Sequence, residues 1–253
     1  MLLLMHVLPG PPPSSTPEVA HLLHLQEDAE EYLENVRERF PRLRSKWIVE
    51  TGDPVERILA AAREEDVDAL ALTTHARSGL TSLLMGSVAR KVVQRSGRPV
   101  LLVRPDAPVP RHLRQIVVPL EGPEGAEIVL RAIAPLAKET EATVTLLHVL
   151  PFARVADPVT GFNPIVLKPM ELPTIAWIDP LVELLTHHGV RAEKSVLAGE
   201  PEEVILRECR NADLIALRTR GRSGLARLVL GSIAEQVVKN SDRPALLFHR
   251  IEE

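Results

Sequence analysis

One block of sequence occurs twice in the chain, at residues 74–87 and again at residues 219–232. Each copy follows an apolar run and precedes an amphipathic stretch that ends in Arg-Pro and a further apolar run. Each copy also ends in Gly-Ser at the predicted start of a helix, where backbone N–H groups lack partners within the helix and can cradle an anion such as a phosphate. The repeat therefore predicts two similar units, each with a candidate anion site.

Shorter matches extend the repeat over most of the chain. The matching pairs of segments are 3–9 with 146–151, 52–59 with 199–206, and 98–103 with 243–248. A proline-rich stretch separates the two halves and is typical of a semi-extended linker. We therefore predict a first domain at residues 1–105, a linker at 106–113 and a second domain at 114–253.

The second half alternates short apolar segments with amphipathic ones. Its predicted strands are 115–120, 143–150, 190–197, 214–217 and 244–248; its predicted helices are 124–140, 173–188, one that opens at 199–201, and 231–240. Residues 151–172 are rich in proline and are predicted as a long loop. This alternation indicates right-handed crossovers and a parallel sheet covered on both faces. The predicted fold class is α/β, with two tandem doubly wound parallel-sheet domains.

The first half enters this pattern later than the second. The repeat in the first half starts with the segment that matches residues 146–151. No segment of the first half matches residues 114–143, so we expect the first domain to lack a counterpart of the first strand and first helix. In a doubly wound sheet the first strand lies centrally. Two explanations stay open: a late start codon or fragment boundary, or another segment that fills the space.

Composition narrows the class of partner. The formal net charge is −4 and aromatic residues make up 3% of the chain, which argues against a nucleic-acid surface. No apolar run reaches the ~18 residues that a membrane helix needs, and the apolar opening residues lack the basic flank of a targeting segment. The single cysteine, Cys209, is predicted as a buried residue of a helix. We expect a cytoplasmic protein with no nucleic-acid or membrane partner.

Two spaced motifs in the second half resemble those of a known family. The chain carries Arg218-x2-Gly221-x9-Gly231-Ser232 after the fourth strand of this half, and ValProLeuGluGlyPro at 118–123 after the first. These motifs, and most of both halves, are similar to the universal stress protein family. Its nucleotide-binding members have Gly-x2-Gly-x9-Gly-Ser/Thr and Val-Pro-Leu/Val-Asp-Gly-Ser at these places. In them the aspartate holds the nucleoside, while the glycine loop and the Ser/Thr hold the phosphates.

The resemblance implies a nucleotide site in the second half with three departures from the family pattern. Arg218 stands at the first glycine, Glu121 at the aspartate, and Pro123 at the serine of the turn. Glutamate keeps the acceptor oxygens one methylene further out, and the Arg218 charge is able to pair with phosphate. The implied nucleotide-binding residues are Pro119, Glu121, Gly122, Arg218, Gly221, Gly231 and Ser232.

The first half carries a more degraded copy, so it is the weaker second site. It has Thr73-x2-Ala76-x9-Gly86-Ser87, in which the last glycine and the serine match, and it has no aspartate turn. An alanine at a position that requires positive φ costs about 1 kcal/mol or more. For either site the alternative is that Gly-Ser caps a helix and packs it closely, with no ligand.

Two functions stay open at this point. The first is a cytoplasmic stress-response regulator that binds ATP or AMP, with Mg²⁺ accompanying ATP; the second is a scaffold of the same fold that binds no nucleotide. No catalytic residues and no metal site are predicted, and without a Walker-type lysine we expect at most slow ATP hydrolysis. His6 and His148 are predicted to pack at strand ends. The halves should pair through their last strands as an internal pseudo-dimer, and a homodimer is also compatible with the sequence.

Overall fold

The repeated pattern of apolar and amphipathic segments folds as alternating strands and helices. The structure, a computed structural model, describes residues 1–10, 19–74, 85–105, 107–108, 110–151, 175–218 and 231–248. Of the predicted loop at 151–172, residues 152–172 lie outside these ranges. By packing, the chain divides into a unit Met1–Val67 and a unit Asp68–Glu253. The domain limits at 105 and 114 stay a prediction from the repeat.

The first unit contains two parallel strands and two helices. Its elements are β1 (Leu2–Leu8), α1 (Val19–Glu38), β2 (Ser45–Thr51) and α2 (Pro54–Glu64). β1 pairs with β2 from Leu2 opposite Ser45 to Leu8 opposite Thr51. Helix α2 begins where Asp53 caps it: its carboxylate accepts hydrogen bonds from the backbone N–H groups of Val55 and Glu56, at 2.9 and 3.0 Å.

The second unit contains the last part of the first half and all of the second half. Its elements are β3 (Leu70–Thr73), α3 (Ser87–Arg95), β4 (Val100–Val103), β5 (Gln115–Leu120), α4 (Ala126–Thr140), β6 (Thr143–Leu150), α5 (Asp179–His187), β7 (Arg191–Ala198), α6 (Pro201–Glu208), β8 (Leu214–Arg218), α7 (Ser232–Asn240) and β9 (Ala245–Phe248). The strands form one sheet in the order β3-β4-β9-β8-β5-β6-β7.

The second half forms the doubly wound sheet that its sequence predicts. Its strands lie in the order β9-β8-β5-β6-β7, all parallel, with the first strand of the half at the centre. Buried side chains of β5 and β6, such as Ile116 and Leu146, pack with Leu130 and Ile133 of α4 in one apolar core. Burial on both faces explains why β5 and β8 read as continuous apolar runs.

The halves join through their last strands, as the sequence predicts. β4 and β9 pair antiparallel, with Leu101 opposite Leu246, and these two residues occupy equivalent positions of the repeat. Arg90 of α3 and Glu235 of α7 are also equivalent positions, and their side chains form an ion pair at 3.3 Å. Equivalent residues meet in this way only next to a two-fold axis, so β4 and β9 lie about an internal pseudo-two-fold.

The described strands of the first half lie in two sheets. In the second half, β5 pairs with both β6 and β8 and connects them. In the first half, β1 and β2 form a two-stranded sheet, while β3 and β4 belong to the seven-stranded one. Among the described residues of the first half, no strand connects the two sheets as β5 connects β6 and β8.

Cys209 is buried, as predicted, with 1% of its surface exposed. It lies in a short 3-10 turn, Cys209–Asn211, rather than in the helix that the sequence predicts, because α6 ends at Glu208.

Candidate functional site

The order of the strands places a crevice between β5 and β8. From β5 the chain continues to β6 on one side, whereas β8 lies on the other. In open α/β sheets, ligands bind outside the carboxyl ends of the strands where the order reverses in this way. The candidate site therefore lies beyond Leu120 and Arg218, the last residues of these two strands.

Pro119 widens this crevice because it cannot donate a backbone hydrogen bond. The Asp213 N–H donates to the Gln115 carbonyl at 2.9 Å, so alternate residues of β5, Pro119 included, direct their backbone towards β8. β5 pairs with β6 over six residues but with β8 only at Ile116 and Val117. The ladder between β5 and β8 thus stops two residues before Pro119, and the strands separate towards the site.

The turn after β5 brings a carboxylate and bare backbone to the same place. Glu121 is exposed and Gly122 half-buried, and a Cβ added to Gly122 would meet no described atom within 4 Å. The turn ends at Gly125, which has a φ of +67° and precedes the first residue of α4. Glycine is favoured at Gly125 because other residues rarely adopt this conformation.

Arg218 reaches across the crevice to this turn. Its Nη1 donates a hydrogen bond to the Glu124 carbonyl oxygen. The guanidinium lies so close to Gly125 that a Cβ there would be 2.7 Å from Arg218 Nε. Arg218 Nε is buried and has no hydrogen-bond partner among the described residues. The structure therefore places a guanidinium where the family pattern has only backbone.

Gly231 begins α7 without a side-chain cap. Its carbonyl accepts the first intrahelical bond from Glu235, at 2.9 Å, so the N–H groups of Ser232 to Ala234 come before the helical ladder. Gly231 has φ −56° and ψ 146°, values open to any residue, and an added Cβ would meet no described atom within 4 Å. Packing within the described chain therefore does not require glycine here. Gly221 and the side chain of Ser232 lie outside the described part.

The equivalent place in the first half is built differently. The Gly86 N–H donates to the Thr74 carbonyl at 2.8 Å, and an added Cβ would lie 3.3 Å from that oxygen. Close packing against Thr74 thus accounts for glycine in this half, and one candidate donor is already used. Thr73 ends β3 and Ser87 begins α3, both exposed, and Ala76 lies outside the described residues.

His148 and Trp177 border the site, and the sequence did not point to the tryptophan. His148 lies opposite Leu120, and its Nδ1 is 2.8 Å from the Leu120 carbonyl oxygen. The Trp177 ring contacts the His148 ring edge-on, with centroids 5.2 Å apart at 84°. The histidine therefore packs at a strand end, as predicted. Trp177 precedes α5 and belongs to no repeat or motif, so no sequence pattern indicates its place at the site.

Of the groups that the sequence predicts at one site, the structure brings two into contact: the side chain of Arg218 and the turn after β5, through Glu124 and Gly125. The start of α7 belongs to the connection between the parallel strands β8 and β9. Within the described ranges, no cluster of three or more His, Cys, Asp or Glu residues could hold a metal ion. None of the helices described is long and apolar enough to cross a membrane.

Comparison with known proteins gives consistent matches. A model of the universal stress protein family matches residues 1–104 and 112–249. A universal stress protein of Methanocaldococcus jannaschii is 30% identical over 139 residues, or 53% of this chain and 81% of that protein. One from Bacillus subtilis is 29% identical over 143 residues, or 53% of this chain and 97% of that protein. The crystal structure of a universal stress protein from Archaeoglobus fulgidus aligns with a TM-score of 0.71 at 22% identity, covering 99% of this chain and 86% of that one, so the fold is shared.

Proposed function

The chain belongs to the universal stress protein family, and on that premise we propose that it is a cytoplasmic stress-response regulator that binds an adenine nucleotide, ATP or AMP. The ligand would lie in the crevice at the carboxyl ends of β5 and β8. The observation that carries this proposal is Gly231, a glycine that neither backbone conformation nor packing against described residues requires. A bare Cα at a helix start allows a phosphate to approach the backbone N–H groups.

The proposed phosphate site is the start of α7 together with Gly221 and Ser232. The N–H groups of residues 232–234 precede the helical ladder, and the partial positive charge of the helix start favours an anion. The nucleoside would lie over Pro119 and Gly122, where the strands separate, with the Glu121 carboxylate accepting hydrogen bonds from its hydroxyl groups.

Arg218 would supply a positive charge to the phosphates. Its guanidinium carries five donors, and Nη1 donates to the Glu124 carbonyl while Nε has no described partner. A charge-assisted bond from guanidinium to phosphate is about twice as strong as a neutral one. A glycine at position 218 would let a phosphate come close to the backbone. The charge of Arg218 would offset the loss of that close approach.

The second candidate function is a scaffold that binds no nucleotide and acts through partner proteins. One observation favours it: the Arg218 side chain spans the crevice and contacts Gly125, so the space is partly filled. On this account the Arg218 side chain would stay in place when nucleotide is added.

We propose no catalysis for either function beyond slow ATP hydrolysis. The sequence contains no Walker-type lysine to hold the β- and γ-phosphates. Mg²⁺ would enter only as a companion of ATP. A Mg-ATP turnover assay tests this proposal, and phosphate release at rates typical of kinases would contradict it.

The proposed function is tested by the nucleotide that the purified protein carries. Heat denaturation should release material that absorbs near 260 nm and that co-elutes with ATP or AMP on ion-exchange chromatography. The Gly231→Val variant, purified in parallel, should release much less. Equal release of nucleotide from both proteins would contradict the proposed phosphate site. No release from either protein, even after incubation with ATP, would favour the scaffold function.

A further inference from the structure

We infer that Trp177 stacks on the base of the bound nucleotide and gives the site a preference for purines. The inference rests on the proposed function and deepens it, because it names a residue that selects the class of nucleobase. Trp177 belongs to neither of the two spaced motifs of the second half, so its role is specific to this chain.

Trp177 lies at the carboxyl edge of the sheet, beside the end of β5. The Nδ1 atom of His148 is 2.8 Å from the Leu120 carbonyl oxygen, and the rings of His148 and Trp177 have centroids 5.2 Å apart. Because a carbonyl oxygen only accepts hydrogen bonds, Nδ1 carries a proton in this contact. One histidine side chain thus separates the indole from the last residue of β5, beyond which the nucleoside is proposed to lie.

The indole lies on the same side of the sheet as the turn that follows β5. Trp177 packs against the apolar core that includes Leu120, Ala126 and Leu130. Leu120 and Ala126 flank the turn at residues 121–125, and α4 continues from it over this face of the sheet. The core therefore holds the indole in place from below, next to the turn that carries Glu121 and Gly122.

The indole keeps ring surface and a hydrogen-bond donor for a ligand. Trp177 is half-buried, and the interplanar angle of 84° means that His148 covers at most one of its two faces. Its Nε1–H makes no hydrogen bond within the described part of the chain. A base stacks on an aromatic side chain through its π face, and the two-ring purines cover more of an indole than pyrimidines do.

The other tryptophan of the chain shows an indole whose polar atom is used by the fold. Trp47 is also half-buried, and its Nε1–H donates to Glu34 Oε2 at 2.9 Å. Half-buried indoles commonly pair their N–H in this way. Trp177 has the same degree of burial without such a partner, which distinguishes it from a tryptophan that only packs.

Fluorescence tests the inference in a chain that keeps Trp177. In Trp47→Phe, Trp177 is the only tryptophan. AMP should quench its emission saturably, over the concentration range in which calorimetry shows AMP binding to the same variant. Binding of AMP without quenching overturns the inference and leaves the proposed function standing. An absence of AMP binding to the original chain overturns both.

Substitutions of Trp177 separate stacking from packing. Trp177→Leu keeps an apolar side chain without a π face and should bind AMP about tenfold more weakly, whereas Trp177→Phe should keep most of the affinity. Tyr32→Leu is the matched control, because Tyr32 makes the corresponding edge-on contact with His6, at 6.1 Å and 76°. It should leave AMP affinity unchanged. Equal affinities of Trp177→Leu and the original chain, or equal losses in the Leu and Phe variants, would overturn the inference.

The preference between bases provides a readout that a loss of packing would not move. The original chain should bind AMP more tightly than UMP, and the ratio of the two affinities should fall in Trp177→Leu. A ratio that stays the same in this variant would assign Trp177 to the core alone.

Discussion

Arg218 and Gly125 lie in direct contact across the mouth of the crevice, the side chain of one against the bare Cα of the other. The contact joins the end of β8 to the start of α4 and depends on both residues. Glycine leaves room for the guanidinium, and the guanidinium in turn donates to the neighbouring Glu124 carbonyl. The Arg218 guanidinium therefore closes one side of the site. Whether this group binds phosphate or fills the crevice distinguishes the two proposed functions.

Substitution of Gly125 should destabilise the fold. Gly125→Ala forces a Cβ into a conformation with φ +67° and against Arg218, and the unfavourable backbone alone costs about 1–2 kcal/mol. Urea unfolding should show a lower midpoint for this variant. The double variant Gly125→Ala, Arg218→Gly should recover the stability lost through overlap of the Cβ with the guanidinium. It should not recover the stability lost through the unfavourable backbone conformation. An unchanged midpoint in Gly125→Ala would mean that the contact does not constrain the turn.

Removal of the Arg218 charge should weaken ATP more than adenosine. Arg218→Gln keeps a long polar side chain but loses the charge-assisted contact to phosphate, which corresponds to about a tenfold loss of affinity for ATP. Adenosine, which carries no phosphate, should bind the variant and the original chain alike. Fluorescence competition with both ligands measures this difference. Tighter binding of ATP by the variant would mean that Arg218 obstructs the site.

The ion pair between Arg90 and Glu235 should contribute little to stability. Because the two equivalent positions carry opposite charges, it should favour pairing of the first half with the second half over pairing of two identical halves. Both side chains are close to half exposed, and such pairs are worth about 0.2–1 kcal/mol. In a double-mutant cycle, Arg90→Glu and Glu235→Arg should each lower the free energy of unfolding, and the exchanged pair should recover most of it. Additive losses in the double variant would show that the two charges do not interact.

Cys209 should be unreactive in the folded protein. Burial, with a smaller contribution from the Glu208 charge, raises the pKa of its thiol to about 12, so almost no thiolate forms up to pH ~10. Reaction with a disulfide reagent should stay slow as the pH rises through the ~8.5 at which exposed thiols ionise. In denaturant the reaction should be fast and stoichiometric. Rapid labelling of the native chain at neutral pH would contradict the burial of this residue.

The sequence predicts the sheet better than it predicts the site. Apolar runs predict β5, β6 and β8, and the repeat predicts the pairing of β4 with β9, because burial and duplication leave clear patterns. The contact of Arg218 with Gly125 and the place of Trp177 depend on side-chain directions between segments that are distant in the chain. No local pattern records such directions, so they had to be read from the structure.

Asp213 illustrates the same limit at a smaller scale. From its place before β8 the sequence predicts a turn or cap residue, and the carboxylate does bind backbone N–H groups. The groups belong to Arg114 and Gln115, at the start of β5, which lie 99 and 98 residues away in the chain. The chemistry of a short acidic side chain is thus predictable, whereas the partner that it finds depends on the order of the strands.

Calorimetric titration with ATP tests the central claim most directly, with the original chain compared with Gly231→Val and Gly86→Val. The account predicts saturable binding to the original chain, its loss in Gly231→Val, where an added Cβ meets no described atom within 4 Å, and most of it retained in Gly86→Val. An original chain that takes up no ATP, or equal losses in the two variants, would contradict it.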